Sequence, residues 1–365
     1  MNQSEINVQS TALKEANRLM TICNSCRYCE GLCAVFPAME KRSSFFEGDL
    51  NYLANLCHDC GACYSACQFA PPHEFSVDVP TNFAKVRSES YETYVWPAFL
   101  APMFLRNGVK ISFVAAICLV FFLVGFVGWN DSSDLWSYNI GPGAFYRLMP
   151  HHMMVFIFGT AFSYAIIAGL FSARKFWRDS KDNFDNRTHV RNFWSATKDA
   201  TSLRYLGGEG LICSVSENVF NDRRRLYHHF TFYGFFLCFL STITATFYHY
   251  LLGREAPYPW YDFPVILGIA GGIGLIVGPL GLLWEKYNNR KIKKALGMDV
   301  AFLVMLFLTS LTGIMLLIFR SSPAMGILLF IHLGIVFSLF ITMPYGKFIH
   351  GIYRFLALVR FSQER

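Results

Sequence analysis

Residues 23–33 read CNSCRYCEGLC, and residues 57–67 repeat the same cysteine pattern as CHDCGACYSAC. The two runs hold eight of the eleven cysteines of this 365-residue chain, each with the spacing C-x2-C-x2-C-x3-C. In two-cluster proteins the first three cysteines of such a run bind one cubane and the fourth binds the other. The spacing therefore predicts two [4Fe–4S] clusters, one held by Cys23, Cys26, Cys29 and Cys67 and the other by Cys57, Cys60, Cys63 and Cys33.

Structural zinc and disulfide bonds are the two alternatives for so many cysteines. Zinc sites favour paired C-x2–4-C spacings, and eight thiols in two four-cysteine runs exceed what they need. Disulfides require an oxidising compartment, whereas the chain opens with the polar stretch Met1–Ala12 rather than with a basic and then apolar leader. Reduced thiols that ligate iron–sulfur clusters are the expectation.

The residues around the runs favour helices over a compact βαββαβ ferredoxin. Proline often follows the fourth cysteine of a ferredoxin run, but here Ala34 and Gln68 do. Between the runs, Ala38–Leu56 is rich in helix-forming residues with little β-branching, and Ser10–Ile22 carries apolar residues at helical spacing. We expect an all-helical, two-cluster [4Fe–4S] ferredoxin-like domain in residues 1–100.

Residues 101–365 differ sharply in composition from the first hundred. The apolar and aromatic excess behind the positive mean hydropathy of +0.32 falls in this part. Six apolar segments there are near the roughly 20 residues that cross the hydrocarbon of a bilayer. The sequence thus predicts a mainly α protein whose second domain is a six-helix transmembrane, haem-binding bundle, with spans at Val109–Gly128, Met149–Ser172, Leu226–Leu252, Phe263–Trp284, Val300–Phe319 and Met325–Met343.

The basic residues between the spans predict the orientation of the chain. Segment 173–227 holds eleven Lys or Arg, 285–299 holds five and 344–365 holds four, whereas the connections on the other side hold one each. Cytoplasmic loops carry the lysine and arginine excess. We expect both termini, the cysteine-containing domain and the basic loop 173–227 in the cytoplasm, and this topology accounts for the net charge of +7 without nucleic-acid binding.

Histidines in the predicted spans suggest a second cofactor, because ionisable residues inside a membrane are costly and commonly functional. Antiparallel traversal places His249 level with His332, and His228 level with His350. The 18 residues from His332 to His350 make five turns at about 100° per residue, so both face one side. The pattern predicts two b-type haems, each held by two histidines of facing helices, with His229, His151 and His152 as alternative ligands.

Other features have simpler explanations. The glycines of the fourth span, from Gly268 to Gly281, fail the dinucleotide pattern at Val277 and indicate close helix packing. Arg223–Arg225 is expected to be a positive-inside anchor, with pairing to haem propionates as the alternative. Cys118 and Cys238 lack ligand spacing and are expected to be buried small residues.

The residues also carry a resemblance to a known family. The stretch 57–75, which ends Gln-Phe-Ala-Pro-Pro-His-Glu-Phe, together with 224–234, 247–250, 297–299 and the Met-Pro-Tyr-Gly-Lys tail of 332–354, resembles the citrate/tricarballylate utilization protein B family (TcuB, also called CitB). The resemblance runs over nearly the whole chain. One departure is at Cys213, where this chain continues Ser-Val-Ser rather than the family's Asn-Tyr-Pro, so the function of the 173–227 loop is open.

The resemblance implies an electron route and a partner. In this family the A protein (TcuA) is an FAD-containing dehydrogenase that converts tricarballylate to cis-aconitate, and the B protein reoxidises its FAD. By resemblance, this chain is an electron-transfer subunit of the bacterial inner membrane that receives electrons from a TcuA-like flavoprotein and passes them through the two clusters and haem to membrane quinone. No independent site for a soluble substrate is expected.

Two other classes fit part of the pattern. A membrane redox or oxygen sensor would use the iron–sulfur clusters without reducing quinone, and a transporter would use the histidines as a proton relay. Neither requires paired haem ligands.

Overall fold

The computed structural model describes residues 10–129, 131–180, 190–207, 218–288 and 297–365. Cys213 and most of the stretch Met1–Ala12 lie outside these ranges. Within them the chain is helical and contains no β-strand, which confirms the mainly α prediction. The α-helices are α1 Thr11–Cys26, α2 Val35–Glu40, α3 Glu47–Leu56, α4 Ala62–Ala66, α5 Val79–Tyr94, α6 Asn107–Trp129, α7 Ala144–Leu148, α8 His151–Asp179, α9 Val190–Thr201, α10 Asn218–Leu252, α11 Phe263–Asn288, α12 Gly297–Ile318, α13 Met325–Thr342 and α14 Ile349–Glu364.

The chain forms two compact units, and each unit combines segments that are separated in the sequence. The first unit contains residues 1–104, 168–225 and 348–365, and the second contains residues 105–167 and 226–347. The cysteine runs therefore share a unit with part of the basic loop and with the C-terminal helix.

Local sequence signals set the helix ends in the first unit. The Ser10 side chain accepts a hydrogen bond from the Leu13 N–H and caps α1. Asp78 caps α5 in the same way by accepting from the Thr81 N–H. The apolar positions predicted at helical spacing in α1 are buried, as are those of α3. Helix α1 ends at Cys26, and the next residue, Arg27, has a left-handed φ of 53°.

Aromatic residues and α14 form the core of the first unit. Tyr52, Tyr91, Tyr353, Phe83 and Phe176 are among its largest fully buried side chains. The Phe176 and Tyr353 rings are stacked, with centroids 5.0 Å apart. Helix α14 packs against α3 and α9, so the C-terminal helix closes the core.

A buried ionic network joins α3 to α14. The Arg42 guanidinium contacts the carboxylates of Asp49 at 2.5 Å and Glu364 at 2.7 Å, with all three side chains only 2–3% exposed. Glu364 also accepts from Arg360 at 3.0 Å and from the Tyr52 hydroxyl at 3.1 Å. Because each buried charge has a partner, the desolvation cost of the network is offset by its ion pairs and hydrogen bonds.

The second unit consists mainly of long apolar helices. Six helical stretches of the described residues are long and apolar enough to cross a membrane, in agreement with the six predicted spans. They are Asn107–Gly128, His151–Asp179, Arg223–Leu252, Phe263–Asn288, Gly297–Ile318 and Met325–Tyr345, of which the second and third also extend into the first unit. Within the second unit, α13 packs against α6 and α12, and α12 packs against α11.

The glycines of the fourth span allow α11 to approach α10 closely. A Cβ atom at Gly274 would lie 2.9 Å from the Phe230 carbonyl oxygen, and one at Gly278 would lie 2.6 Å from the Thr231 nitrogen. Backbone atoms this near leave no room for a side chain. The prediction that these glycines serve helix packing is confirmed.

Candidate functional site

The first cavity is lined by Cys23, Cys26, Cys29 and Cys67, with apolar and aromatic neighbours. Cys23 and Cys26 lie in the last turn of α1, and the left-handed Arg27 reverses the chain so that Cys29 returns toward them. Cys67 follows α4 and comes from the second run. The structure therefore brings together the four cysteines that the spacing predicted as one ligand set.

The second cavity is lined by Cys33, Cys57, Cys60 and Cys63. Asp59 and Gly61 both have positive φ, at 55° and 77°, and they turn the chain between the end of α3 and the start of α4. The two cavities are close neighbours, because Phe36 lines both. Here too the fourth cysteine comes from the other run.

Backbone N–H groups point at sulfur atoms of the second cavity. The Asp59 N–H donates to the Cys57 Sγ at 3.4 Å, and the N–H groups of Val35 and Phe36 donate to Cys33. Such hydrogen bonds stabilise a thiolate and are a means of tuning an iron–sulfur cluster. They favour the ligand form of the cysteine.

Burial opposes ionisation of the thiols. Burial, followed by the neighbouring cysteines of its quartet, raises the pKa of Cys23 to about 12 and that of Cys29 to about 11. Burial likewise raises the pKa of Cys33, Cys57 and Cys63. Four thiolates in one cavity therefore need a positive counter-charge, which bound iron would supply.

Three arginines converge on the loop that carries Cys57 and Cys60. Arg87 of α5 donates to the Cys57 carbonyl oxygen at 2.5 Å, and Arg354 of α14 donates to the same oxygen at 2.7 Å. Arg224 of α10 donates to the Asp59 carbonyl oxygen at 2.7 Å. We refer to Arg87, Arg224 and Arg354 as the arginine trio. Burial and the neighbouring Arg87 lower the pKa of Arg354 to about 10, so it stays charged at neutral pH.

The donor set fits iron–sulfur clusters better than single metal ions. No group of three or more His, Cys, Asp or Glu side chains in the described part of the chain is arranged to hold one ion. A cubane instead distributes four cysteines over four irons around a cavity, and each of the two cavities has four. The assignment of these cysteines as cluster ligands stays a prediction.

In the structure, the His249 ring contacts the His151 ring. Their rings are stacked, with centroids 3.7 Å apart and planes 23° apart. The Tyr146 ring lies edge-on to both histidines, and the Tyr250 ring does the same. The His249 Nδ1 atom is buried without a hydrogen-bond partner in the described residues. Face-to-face rings do not fit as the two axial ligands of one haem, which lie on opposite sides of the porphyrin.

His332 contacts α12. Its Nδ1 atom lies 3.0 Å from the Thr312 Oγ1, and the ring also has a hydrogen bond to the Thr309 backbone. Gly313 makes room for the ring, since a Cβ at that position would lie 3.1 Å from the His332 Cε1. A fixed imidazole with one nitrogen engaged in a hydrogen bond is the usual state of a metal-ligating histidine.

The remaining predicted haem residues stay predictions. His228 lies in the second unit and His350 in the first. The His229 ring stacks on Tyr233, with centroids 5.7 Å apart, and His152 is exposed. Haem ligation by any of these histidines is a hypothesis for experiment.

Sequence reasoning missed the arginine trio. The sequence predicts only that Arg223–Arg225 is a positive-inside anchor, and the structure places the Arg224 guanidinium on the Asp59 carbonyl. Its neighbour Arg225 donates to the Ser202 carbonyl at 2.9 Å. Arg87 and Arg354 lie in amphipathic helices, where a single arginine has no distinguishing spacing. Only the tertiary fold brings the three together.

Two family models match this chain. Residues 16–93 match the family model described as the citrate utilization protein B Fer4-like domain, and residues 103–365 match the model described as citrate utilization protein B. The chain is 46% identical over 355 residues to citrate utilization protein B of Escherichia coli, covering 96% of this chain and 92% of that protein. No solved structure matches the chain. This chain belongs to the citrate utilization protein B family.

Proposed function

We propose that this chain is the electron-transfer subunit of a membrane oxidoreductase. In this proposal it reoxidises the reduced FAD of a partner flavoprotein that resembles tricarballylate dehydrogenase, and passes the electrons to the quinone pool. The observation that carries the proposal is the pair of neighbouring cavities, each lined by four cysteines. Four cysteines are a complete ligand set for a [4Fe–4S] cluster.

In the proposal, a cluster in each cavity supplies one-electron transfer, and the chain's own residues hold and shield it. The N–H groups of Asp59, Val35 and Phe36 hold thiolates of the second cavity by hydrogen bonds. Phe69 and Val77 keep water from the first cavity, and Phe36 fills the space that both cavities share. Two carriers this close suit electron transfer in series.

Haem extends the proposed route across the membrane. We propose His249 and His332 as ligands on the outer side, with Thr312 fixing the His332 ring and His151 packing against the His249 ring. His228 and His350 remain the predicted ligands on the inner side, with His229 as the alternative. Electrons would leave the haem for quinone.

The proposed orientation places both termini and the cysteine cavities in the cytoplasm of a bacterium, with the six spans in the inner membrane. The lysine and arginine excess of the connections at 173–227, 285–299 and 344–365 supports this orientation. A cytoplasmic flavoprotein then has access to the cysteine-containing unit.

Serine substitutions in the purified full-length protein test the crossed ligand sets. The wild type is expected to bind about eight irons and eight sulfides per chain. Cys33→Ser should perturb the same cluster signal in electron paramagnetic resonance as Cys60→Ser, and Cys67→Ser the same signal as Cys26→Ser. The control is Cys118→Ser, a buried cysteine outside both runs, which should change neither signal. If Cys33→Ser instead matched Cys26→Ser, each run would bind its own cluster.

Optical spectra test the haem and quinone steps. The dithionite-reduced protein should show a b-type haem band, and a soluble quinone should oxidise it. His332→Ala should remove the outer haem while leaving the inner haem and the cluster iron intact. Clusters without any haem band would contradict the electron route and favour the redox sensor.

A further inference from the structure

The two cysteine cavities differ in their surroundings. At the first cavity, Cys26 is exposed and the Tyr28 side chain is 72% exposed. At the second, Cys57 is buried, and the arginine trio binds the carbonyl oxygens of Cys57 and Asp59. The first cavity therefore exposes one of its cysteines, whereas three arginines lie beside the loop of the second cavity.

The three guanidinium groups of the trio lie close to one another. After burial, the positive charges of Arg87 and Arg224 are among the groups that lower the pKa of Arg354. Asp59 forms an ion pair with Arg87 at 3.8 Å, and the Asp59 side chain is 30% exposed. The trio therefore places positive charge beside the loop that supplies two cysteines of the second cavity, and in a low-dielectric surrounding such charge acts over several ångströms, because little water screens it.

Among the described residues, one arginine lies on the loop of the first cavity. The Arg27 Nε donates to the Asn24 carbonyl oxygen at 3.0 Å, and Arg27 is exposed, so water screens its charge. At the second cavity Arg87 is buried and its charge is screened less.

We propose that the arginine trio raises the reduction potential of the cluster in the second cavity above that of the cluster in the first. Reduction adds one negative charge to a cluster, and neighbouring positive charge stabilises the reduced form. One electron then leaves the first cluster and enters the second, with no bond made or broken and no proton moved. The inference rests on the proposed function, in which reduced flavin supplies the electron and quinone finally accepts it.

The direction of electron transfer between the two clusters follows from this difference in reduction potential. The first cavity, where Cys26 is exposed, is the receiving site for a flavoprotein, and the second cavity is the site that holds the electron. The trio acts on the cluster through charge rather than as ligands. A purely structural function, in which the three side chains only hold the 57–60 loop by hydrogen bonds, is the competing explanation.

Redox titration of the full-length protein, monitored by electron paramagnetic resonance, tests the proposal. Arg354→Gln and Arg224→Gln should each lower the midpoint potential of the second cluster and leave that of the first unchanged. Arg354→Lys keeps the charge and should restore most of the shift. Arg178→Gln, which removes an exposed positive charge from the same unit, should shift neither potential.

Several outcomes would overturn the inference. It fails if the second cluster keeps its potential in both glutamine variants, or if Arg354→Lys shifts that potential as far as Arg354→Gln does, since hydrogen bonding alone would then explain the trio. Iron and sulfide analysis separates this failure from that of the proposed function. A wild-type protein without two clusters overturns both, whereas intact clusters with unchanged potentials overturn only the inference. If Arg354→Gln does not fold, Arg224→Gln decides.

Discussion

The two compact units bury polar groups in different ways. The first unit encloses full charges, and Arg42, Asp49 and Glu364 form ion pairs in which each side chain is almost completely buried. The second unit packs helices through glycines and through hydroxyl groups that bond to helix carbonyls, such as the Ser310 Oγ to the Gly272 oxygen at 2.7 Å. The second unit also contains ion pairs, such as Asp299 with Lys286 at 2.5 Å, but the side chains of that pair are 15% and 25% exposed. The difference teaches that the two units differ in how deeply they bury paired charges.

The largest expected effect tests the buried charges. Arg42→Leu leaves Asp49 and Glu364 buried with fewer partners, and breaking such a pair costs about 3–5 kcal/mol. Urea titration of the full-length protein in detergent, followed by intrinsic fluorescence, measures the loss of unfolding free energy. The matched control is Arg18→Leu, whose ion pair with Glu15 is exposed and contributes about 0–1 kcal/mol. Equal losses in the two variants would mean that the network is not a main source of stability.

A smaller effect is expected at the glycine contact of the second unit. Gly278→Ala places a Cβ 2.4 Å from the Thr231 Oγ1 and 2.6 Å from its nitrogen, which forces α10 and α11 apart. Overpacking of this kind costs about 1–3 kcal/mol. The thermal unfolding midpoint in detergent should fall. Gly125→Ala, which meets no atom within 4 Å, should leave the midpoint unchanged or raise it, and a fall of similar size there would indicate a general intolerance of glycine replacement.

The stability of the first unit depends on pH through Tyr94. Its hydroxyl donates to Asp179 and accepts from Asn51 at 2.9 Å, and burial together with Asp179 raises its pKa. An unfolded tyrosine ionises near about pH 10, so this contribution is present below about pH 10 and is lost as the pH rises above it. Tyr94→Phe should cost about 1 kcal/mol at neutral pH.

Tyr94→Phe should also lose less stability than the wild type does as the pH rises into the alkaline range. Urea midpoints measured between about pH 9 and 11 should fall less steeply in Tyr94→Phe than in the wild type. Tyr28→Phe, at a side chain that is 72% exposed, should keep the wild-type slope. Parallel slopes for wild type and Tyr94→Phe would assign the alkaline sensitivity to other groups.

The smallest expected effect is at Ser310. Ser310→Ala removes the hydrogen bond to the Gly272 carbonyl, and interhelical hydrogen bonds in membrane proteins contribute about 0.6 kcal/mol on average. A thermal shift near the limit of detection is expected. A loss as large as that of Arg42→Leu would remove the contrast between the two units.

The sequence predicted the features that depend on local spacing. Cysteine spacing predicted which four thiols line each cavity, because a short run limits where its side chains can reach. Apolar length predicted the six spans, because a bilayer sets a minimum length for each. Small-residue spacing in α11 predicted a close helix contact.

The features that depend on distant residues were not predictable in the same way. Glu364 meets Arg42 across 322 positions, and nothing near either residue identifies the other as its partner. The inclusion of α14 in the cysteine-containing unit, and with it the position of Arg354, follows from this packing. For His249, helix register indicated only the level in the membrane, whereas the ring that it contacts depends on how α8 and α10 are rotated.

Each cavity takes its fourth cysteine from the other run, and this arrangement has a consequence for the assembly of the clusters. The first quartet is complete only with Cys67, and the second combines Cys33 with the cysteines that begin the second run. Neither quartet exists on a nascent chain until the second run has left the ribosome. On the ligand sets proposed above, metal loading begins only after both runs have been synthesised, so a chain that stalls between residues 33 and 57 cannot assemble either cluster.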